Sequence, residues 1–335
     1  MIYKKVLRIE EEISAIGIGC WNMGGDWDSS DETTSKEIIH AAIDMGVNFF
    51  DVAPVYGWGL SETILGKALK DGRRNKVLIA SKGGLLWNEE HVTTNNLSRA
   101  SLLKEVDNSL RRLQTDYIDI YQLHWPDPKV PLEETAEALQ LMKESGKIRY
   151  VGLSNFDQND VEEMMKMISV DCQQSLYNML ERNPVSYHGI PLSYLTEEEV
   201  LPTVRKYGQA FLPYSPFFQG LLAGRFLNGI DITSHDIRNA NPKLFGEPFE
   251  VYVKAARQIK AFADEMGRPM NEVSLNWLRQ KPEVTSIIGG ASTLEQLKKN
   301  LHCVTWDIRD SEMQKINQIL EPFAYIEKRI DNNGT

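Results

Sequence analysis

The sequence predicts an α/β fold, a (β/α)8 TIM barrel in a single domain over residues 1–335, with long loops on its C-terminal face and extra capping helices. Three observations carry this expectation. Short apolar runs rich in Ile, Val, Phe and Tyr alternate with helical patterns, which is how the βαβ units of a parallel sheet read. The runs number eight, the count of a closed barrel. No Pro-, Gly- or Ser-rich linker divides them.

In chain order, "ISAIGIGC" is the first strand and Thr33–Met45 its helix. "FFDV" is followed by Ser61–Leu69, "VLIASKG" by Ser101–Leu113, "IDIYQLH" by Leu132–Glu144, "YVGLSN" by Val161–Met167 and "CQQSLYN" by Glu197–Tyr207. "AFLPYSP" and "TSIIGG" complete the strands; Phe249–Gly267 and Asn271–Lys281 are helical between them, and Ser311–Leu320 adds a last helix. Inserts at 84–97, 182–196 and 228–247 follow strands three, six and seven, so all fall on the C-terminal face, where barrel enzymes keep their chemistry. A doubly wound sheet would need a glycine-rich phosphate turn after its first strand. Here that turn reads "GIGCWNMGG", with Trp21 and Asn22 interrupting it and no ribose-binding acid at the right distance.

Composition narrows the function. With 42% hydrophobic and 25% charged residues the chain reads as soluble and globular, and its net charge of -10 lacks the basic face that nucleic acid requires. No apolar run approaches the roughly 18 residues of a membrane span. The start, "MIYKKVLRIEEEIS", has no signal-peptide core, so the expected location is cytoplasmic. Cys20, Cys172 and Cys303 stand far apart with no CxxC pair, which suggests reduced thiols and neither a disulfide framework nor a zinc site.

Three consecutive strands end in an ionisable residue: Asp51, Lys82 in "IASKGG" and His124 in "YQLHWPD", with Tyr56 just past the second. Taken singly, each has an ordinary reading as a cap, a solvated strand end or a structural group. Strand ends of a barrel converge on one pocket, however, so the four belong together. A phenol is a sluggish acid at neutral pH. A neighbouring ammonium is expected to lower its pKa, an aspartate to hold that ammonium in place, and a histidine to orient a carbonyl oxygen toward the tyrosine.

"FFDVAPVYGWGLSETILGKAL", "IASKGG", "YIDIYQLHWPD", "GKIRYVGLSNF", "LPYSPFFQGLLAGRF" and "IIGGASTLEQLKKNL" together resemble the aldo-keto reductase superfamily over nearly the whole chain. The likeness is greatest to the bacterial branch that also resembles potassium-channel β subunits. The resemblance implies a carbonyl reductase or alcohol dehydrogenase that passes hydride from NAD(P)H to an aldehyde or ketone. Tyr56 would be the general acid, Lys82 and Asp51 its tuning pair, and His124 the carbonyl donor.

For the cofactor, the resemblance implies that Ser154, Asn155 and Gln174 hold the nicotinamide carboxamide and that Tyr214 stacks on the ring, with Trp21 and Asp51 nearby. Ser215, Pro216, Phe217, Gln219 and Arg225, joined by Arg238, would cover the pyrophosphate. Gly290, Ser292, Gln296, Lys299 and Asn300 would take the adenosine-phosphate end. Many relatives carry a proline at Gly289, basic residues at Ser292 and Thr293, and an acid at Lys299. Loss of one charge-assisted hydrogen bond there is worth roughly 1.5 to 3 kcal/mol. The expected cofactor is NADPH, with NADH or dual use left open.

Trp21, Tyr56, Trp58, Trp87, His124 and Trp125 are the expected wall of the substrate pocket, suited to an apolar or aromatic carbonyl compound or a sugar face. The expected partner is that small molecule, with no metal, nucleic acid, membrane or obligate protein partner. The alternative is a cofactor-sensing regulatory subunit with slow hydride chemistry. A metal-dependent hydrolase built on Asp51 and His124 would need an HxH-type cluster that the chain lacks.

Overall fold

Alternating side chains decide how the sheet is used. In the computed structural model, which describes residues 1–25 and 31–327, eight parallel strands are hydrogen-bonded in chain order. They are β1 (Ile16–Gly19), β2 (Phe49–Asp51), β3 (Leu78–Gly83), β4 (Ile118–Leu123), β5 (Ile148–Ser154), β6 (Cys172–Gln174), β7 (Ala210–Phe211) and β8 (Ile287–Gly289). Phe49, Leu78, Ala80, Ile120, Cys172, Ala210 and Ile288 fill the interior. Their neighbours Phe50, Ile79, Tyr121 and Val151 point out against the helices. This period of two is what a sheet covered on both faces requires. Phe211 bridges Val284 in parallel, and Ile288 N–H donates to Pro213 O at 3.0 Å, which closes the sheet between β7 and β8.

The helices are α1 (Glu32–Asp44), α2 (Leu60–Ala68), α3 (Arg99–Leu113), α4 (Leu132–Glu144), α5 (Gln158–Met167), α6 (Leu201–Tyr207), α7 (Gly246–Glu265), α8 (Met270–Arg279), α9 (Leu294–His302) and α10 (Asp310–Leu320). Side-chain caps start several of them: Asp31 accepts from Thr34 N–H at 2.8 Å, Asp157 from Asp160 N–H at 3.0 Å and Thr293 from Gln296 N–H at 3.1 Å. Helices α7 and α8 lie between β7 and β8, as expected, and Trp277 of α8 is fully buried.

Two expectations need correction. The run "ISAIGIGC" is not one strand: Tyr3–Val6 and Ile9–Ser14 form an antiparallel hairpin, and β1 begins only at Ile16. Ser14 makes the break, donating its N–H to Asn48 Oδ1 at 2.7 Å and its hydroxyl to Ile16 O at 2.8 Å. Ile9 and Ile13 of the hairpin join the interior cluster and plug the barrel's N-terminal end. The helix read as Glu197–Tyr207 begins with a π-helical turn, Thr196–Val200, before α6.

The inserts carry their own structure. After β3, Leu85–Trp87 pairs with Thr93–Asn95; after β6, Ser186–Tyr187 pairs with Ile190–Pro191. After β7 the chain runs through short 3-10 turns at Phe218–Ala223, Ile237–Ala240 and Pro242–Leu244.

Candidate active site

Close backbone contact places the first aromatic pair. The turn Tyr56–Gly59 lies against Trp21–Gly24, and a Cβ on Gly57, whose φ is +56°, would stand 2.2 Å from Gly24 O. Only glycine permits both the approach and the left-handed backbone. Tyr56 and Trp21 consequently stack, with ring centroids 5.8 Å apart.

Lys82 is fully buried on β3, and its ammonium is saturated. It donates to Asp51 Oδ1 at 2.9 Å, Asp51 Oδ2 at 2.7 Å, Val52 O at 3.3 Å and Tyr56 Oη at 3.2 Å. Adjacent strands bring the three together, since β2 pairs with β3 in parallel. The His124 ring meets the Tyr56 ring edge-on at 5.9 Å. All four residues of the expected constellation therefore share one pocket.

Their electrostatics differ from the expectation in one respect. Burial, the Asp51 charge and the Cys20 thiol push the Tyr56 phenol well above its usual range, where lowering by the ammonium was expected. Desolvation and the neighbouring Asp51 carboxylate disfavour a phenolate, so the tyrosine keeps its proton. Burial and the Lys82 charge hold His124 well below the usual imidazole range, so it is neutral and able to donate one N–H.

The strand-end amides form a second layer. Asn155, at a φ of +65° that asparagine tolerates, donates to His124 O at 3.1 Å and accepts from Tyr194 Oη at 3.0 Å and Tyr214 Oη at 2.9 Å. Its neighbour Ser154 lies 3.1 Å from the Asn155 amide. Gln174 Nε2 donates to Asp51 Oδ1 at 2.8 Å. Tyr194 and Gln122 were missed by sequence reasoning. Tyr194 sits in an aperiodic insert that offers no signal. Gln122 precedes His124 by two, so the period of the strand was a usable clue.

The β6 insert folds over this layer. Tyr187 packs edge-on against Tyr214 with centroids 5.2 Å apart, and His188 lies 6.1 Å from Trp21. Gln219 joins this arrangement, hydrogen-bonded to the His188 ring and accepting from Asn241 Nδ2 at 3.1 Å. Ser215 and Gln219 adopt positive φ, while Pro216 is buried and Phe217 half-buried between them. The Arg225 and Arg238 guanidiniums sit 4.7 and 5.2 Å from the same Phe226 ring; Arg238 is buried and ion-paired with Asp236.

At the far end, Ser292 N–H donates to Gln296 Oε1 at 2.8 Å, and Asn300 Nδ2 donates to Gly290 O at 3.1 Å. A Cβ on Gly290 would meet nothing within 4 Å, so this loop borders open space at the capped start of α9. Lys299 is exposed and paired with Glu295 at 2.6 Å. Among the substrate-wall candidates, Trp58 stacks on His91 at 4.3 Å and touches Trp87 at 5.9 Å, while Trp125 is half-buried next to His124.

These residues fit a nicotinamide dinucleotide in one testable respect. Asp51 and Gln122 engage the Gln174 amino group, which leaves its carbonyl oxygen turned out of the network as an acceptor for a carboxamide. Among the described residues, no helix is long and apolar enough to cross a membrane.

Comparison with known proteins places this geometry. The model of the Aldo/keto reductase family matches residues 15–321. Aldo-keto reductase YhdN of Bacillus subtilis (strain 168) is 36% identical over 324 residues, covering 96% of this chain and 94% of that protein. The NADH-specific methylglyoxal reductase of Escherichia coli (strain K12) is 30% identical, covering 92% and 95%. A probable voltage-gated potassium channel subunit beta of Oryza sativa subsp. japonica is 29% identical, covering 90% of each. Among solved structures, the glycerol dehydrogenase AKR11B4 from Gluconobacter oxydans superposes with a TM-score of 0.84 at 31% identity, covering 96% and 95%. The chain belongs to the aldo/keto reductase family and is an oxidoreductase enzyme of that family.

Proposed function

We propose that the protein reduces aldehyde or ketone carbonyls with NAD(P)H, NADPH preferred, and that Tyr56 is the acid that protonates the carbonyl oxygen. The observation that carries this reading is the Asp51–Lys82–Tyr56 chain, buried at Asp51 and Lys82 and half-buried at Tyr56, in which one ammonium contacts both a carboxylate and the phenol. When bound, the dinucleotide supplies the hydride. Asn155 and Gln174 would hold its carboxamide, Tyr214 its ring, and Ser154 would join them at the strand end.

The proton steps follow from the pocket. Tyr56 holds its proton throughout the neutral range, so a reacting oxygen meets an acid in its competent form. Once Tyr56 Oη has given that proton to the developing alkoxide, a phenolate remains 3.2 Å from Lys82 Nζ, which stabilises it. Asp51 keeps the ammonium charged and immobile. Neutral His124 donates to the same carbonyl oxygen and turns it toward Tyr56. Trp21, Trp58, Trp87 and Trp125 line the entry and favour an apolar or aromatic carbonyl compound.

The test is Tyr56→Phe. It removes the proton and little volume, so turnover with an aromatic aldehyde is expected to fall by roughly 10²- to 10⁴-fold with dinucleotide binding retained. Undiminished turnover would refute the assignment.

A further inference from the structure

Gln122 is fully buried on the inward phase of β4 and has no task in the chemistry above. Lys82, Gln122, Gly152 and Cys172 stand side by side across β3 to β6. A Cβ on Gly152 would meet Gln122 Cγ at 2.8 Å and Cys172 Sγ at 2.5 Å. Glycine there leaves room for the Gln122 side chain to lean across β5 toward β6. Its Nε2 donates to Asp51 Oδ1 at 3.2 Å, and its Oε1 accepts from Gln174 Nε2 at 3.3 Å, which also donates to Asp51 Oδ1 at 2.8 Å.

The polarity of both amides follows from the carboxylate. Paired with Lys82, Asp51 only accepts hydrogen bonds, so the amide group facing Oδ1 from each glutamine must be the amino group. With its amino group on Asp51, Gln122 offers Gln174 an oxygen, which is compatible with the Gln174 amino group alone. The Gln174 carbonyl oxygen is thereby turned away from both partners.

We propose that Gln122 is a positioning residue: it locks the Gln174 amide so that the groove presents an acceptor, and so selects a cofactor whose carboxamide brings an N–H donor. This rests on the dinucleotide reading above. The test compares equilibrium binding of NADP+ and NAD+ with their 3-acetylpyridine analogues, in which a methyl replaces the carboxamide NH2, by quenching of tryptophan fluorescence. Wild type, Gln122→Met and Gln122→Glu are compared, with folding checked by circular dichroism. The wild type is expected to favour the natural dinucleotide by roughly 2- to 10-fold, the range of one hydrogen bond; Gln122→Met, which leaves Asp51 alone on the Gln174 amino group, is expected to lower that ratio, and Gln122→Glu, whose carboxylate still accepts from that amino group, to keep it. A purely structural role would lower the melting temperature and leave the ratio unmoved. Binding with the ratio retained in folded Gln122→Met, or no discrimination in the wild type, overturns the inference alone; no binding of either natural dinucleotide by the wild type overturns the cofactor reading and the inference with it.

Discussion

Tyr56 Oη lies 3.2 Å from Lys82 Nζ, and the same ammonium lies 2.7 Å from Asp51 Oδ2, with Lys82 fully buried. Among the described residues, the cation that faces the phenol is thus one that is itself fixed by a carboxylate. Lys82→Met keeps the volume and removes the charge. Turnover is expected to fall by roughly 10²- to 10⁴-fold. The Asp51 carboxylate is left buried without its cation, so urea denaturation should show a loss of about 3 to 5 kcal/mol, partly recovered in the double variant Lys82→Met/Asp51→Asn.

Acid should weaken the fold through half-buried histidines. Burial, and then the Lys243 charge, lower His188 to about 4 from 6.5. His124 is lowered in the same direction. Below pH 6.5 the unfolded chain binds protons that the folded chain refuses, so this contribution is complete above that pH and is lost as pH falls toward about 4. Burial raises Glu181 and Glu105, which work in the opposite sense, so the clean readout is a difference. His188→Gln should flatten the acid limb of the stability curve by on the order of 3 kcal/mol relative to wild type. Parallel urea midpoints across that window check it.

Lys243 holds the β6 insert in place from the β7 insert. Its ammonium donates to Glu181 Oε1 at 2.7 Å and Ser186 O at 2.6 Å and pairs with Glu327, while Ser186 N–H donates to Glu327 at 3.1 Å. Lys243→Met would leave Glu181 buried and unpaired, a loss of about 3 to 5 kcal/mol. Amide hydrogen exchange at Val185 and Ser186 should accelerate more than in the barrel strands, because their acceptor Glu327 loses its cation.

On the proposed reading, cofactor preference would turn on Lys299 and Arg225. The exposed Lys299–Glu295 pair is screened by solvent and contributes little, so a phosphate can take the lysine at little cost. Steady-state oxidation of NADPH and NADH with one aromatic aldehyde should favour NADPH. Lys299→Ala and Arg225→Ala should each narrow the preference by roughly tenfold or less, the scale of one charge-assisted hydrogen bond. Equal use of both cofactors by the wild type would assign the protein to dual use.

Most of the site was legible because barrel geometry converts sequence position into spatial position. Asp51, Lys82 and His124 close consecutive strands, and parallel pairing at a fixed register gathers strand ends. Other features left no local trace. Ser14 ends the hairpin strand through Asn48, 34 residues away, so the first strand appeared continuous. Nothing in "HDIRNA" shows that Arg238, expected at the pyrophosphate, is buried against Asp236 and Phe226.

By itself the sequence determined the eight-strand alternation, the face that bears the long inserts and the four titratable groups at its strand ends, because side-chain period and residue type are local properties. Tertiary structure decided what those groups do to one another. The rise in the Tyr56 pKa depends on how dry its pocket is, and the direction in which Gln174 points depends on Asp51, 123 residues away, and on the space that Gly152 leaves for Gln122. Desolvation and hydrogen-bond polarity are set by everything that surrounds an atom, and no stretch of neighbouring residues contains that information.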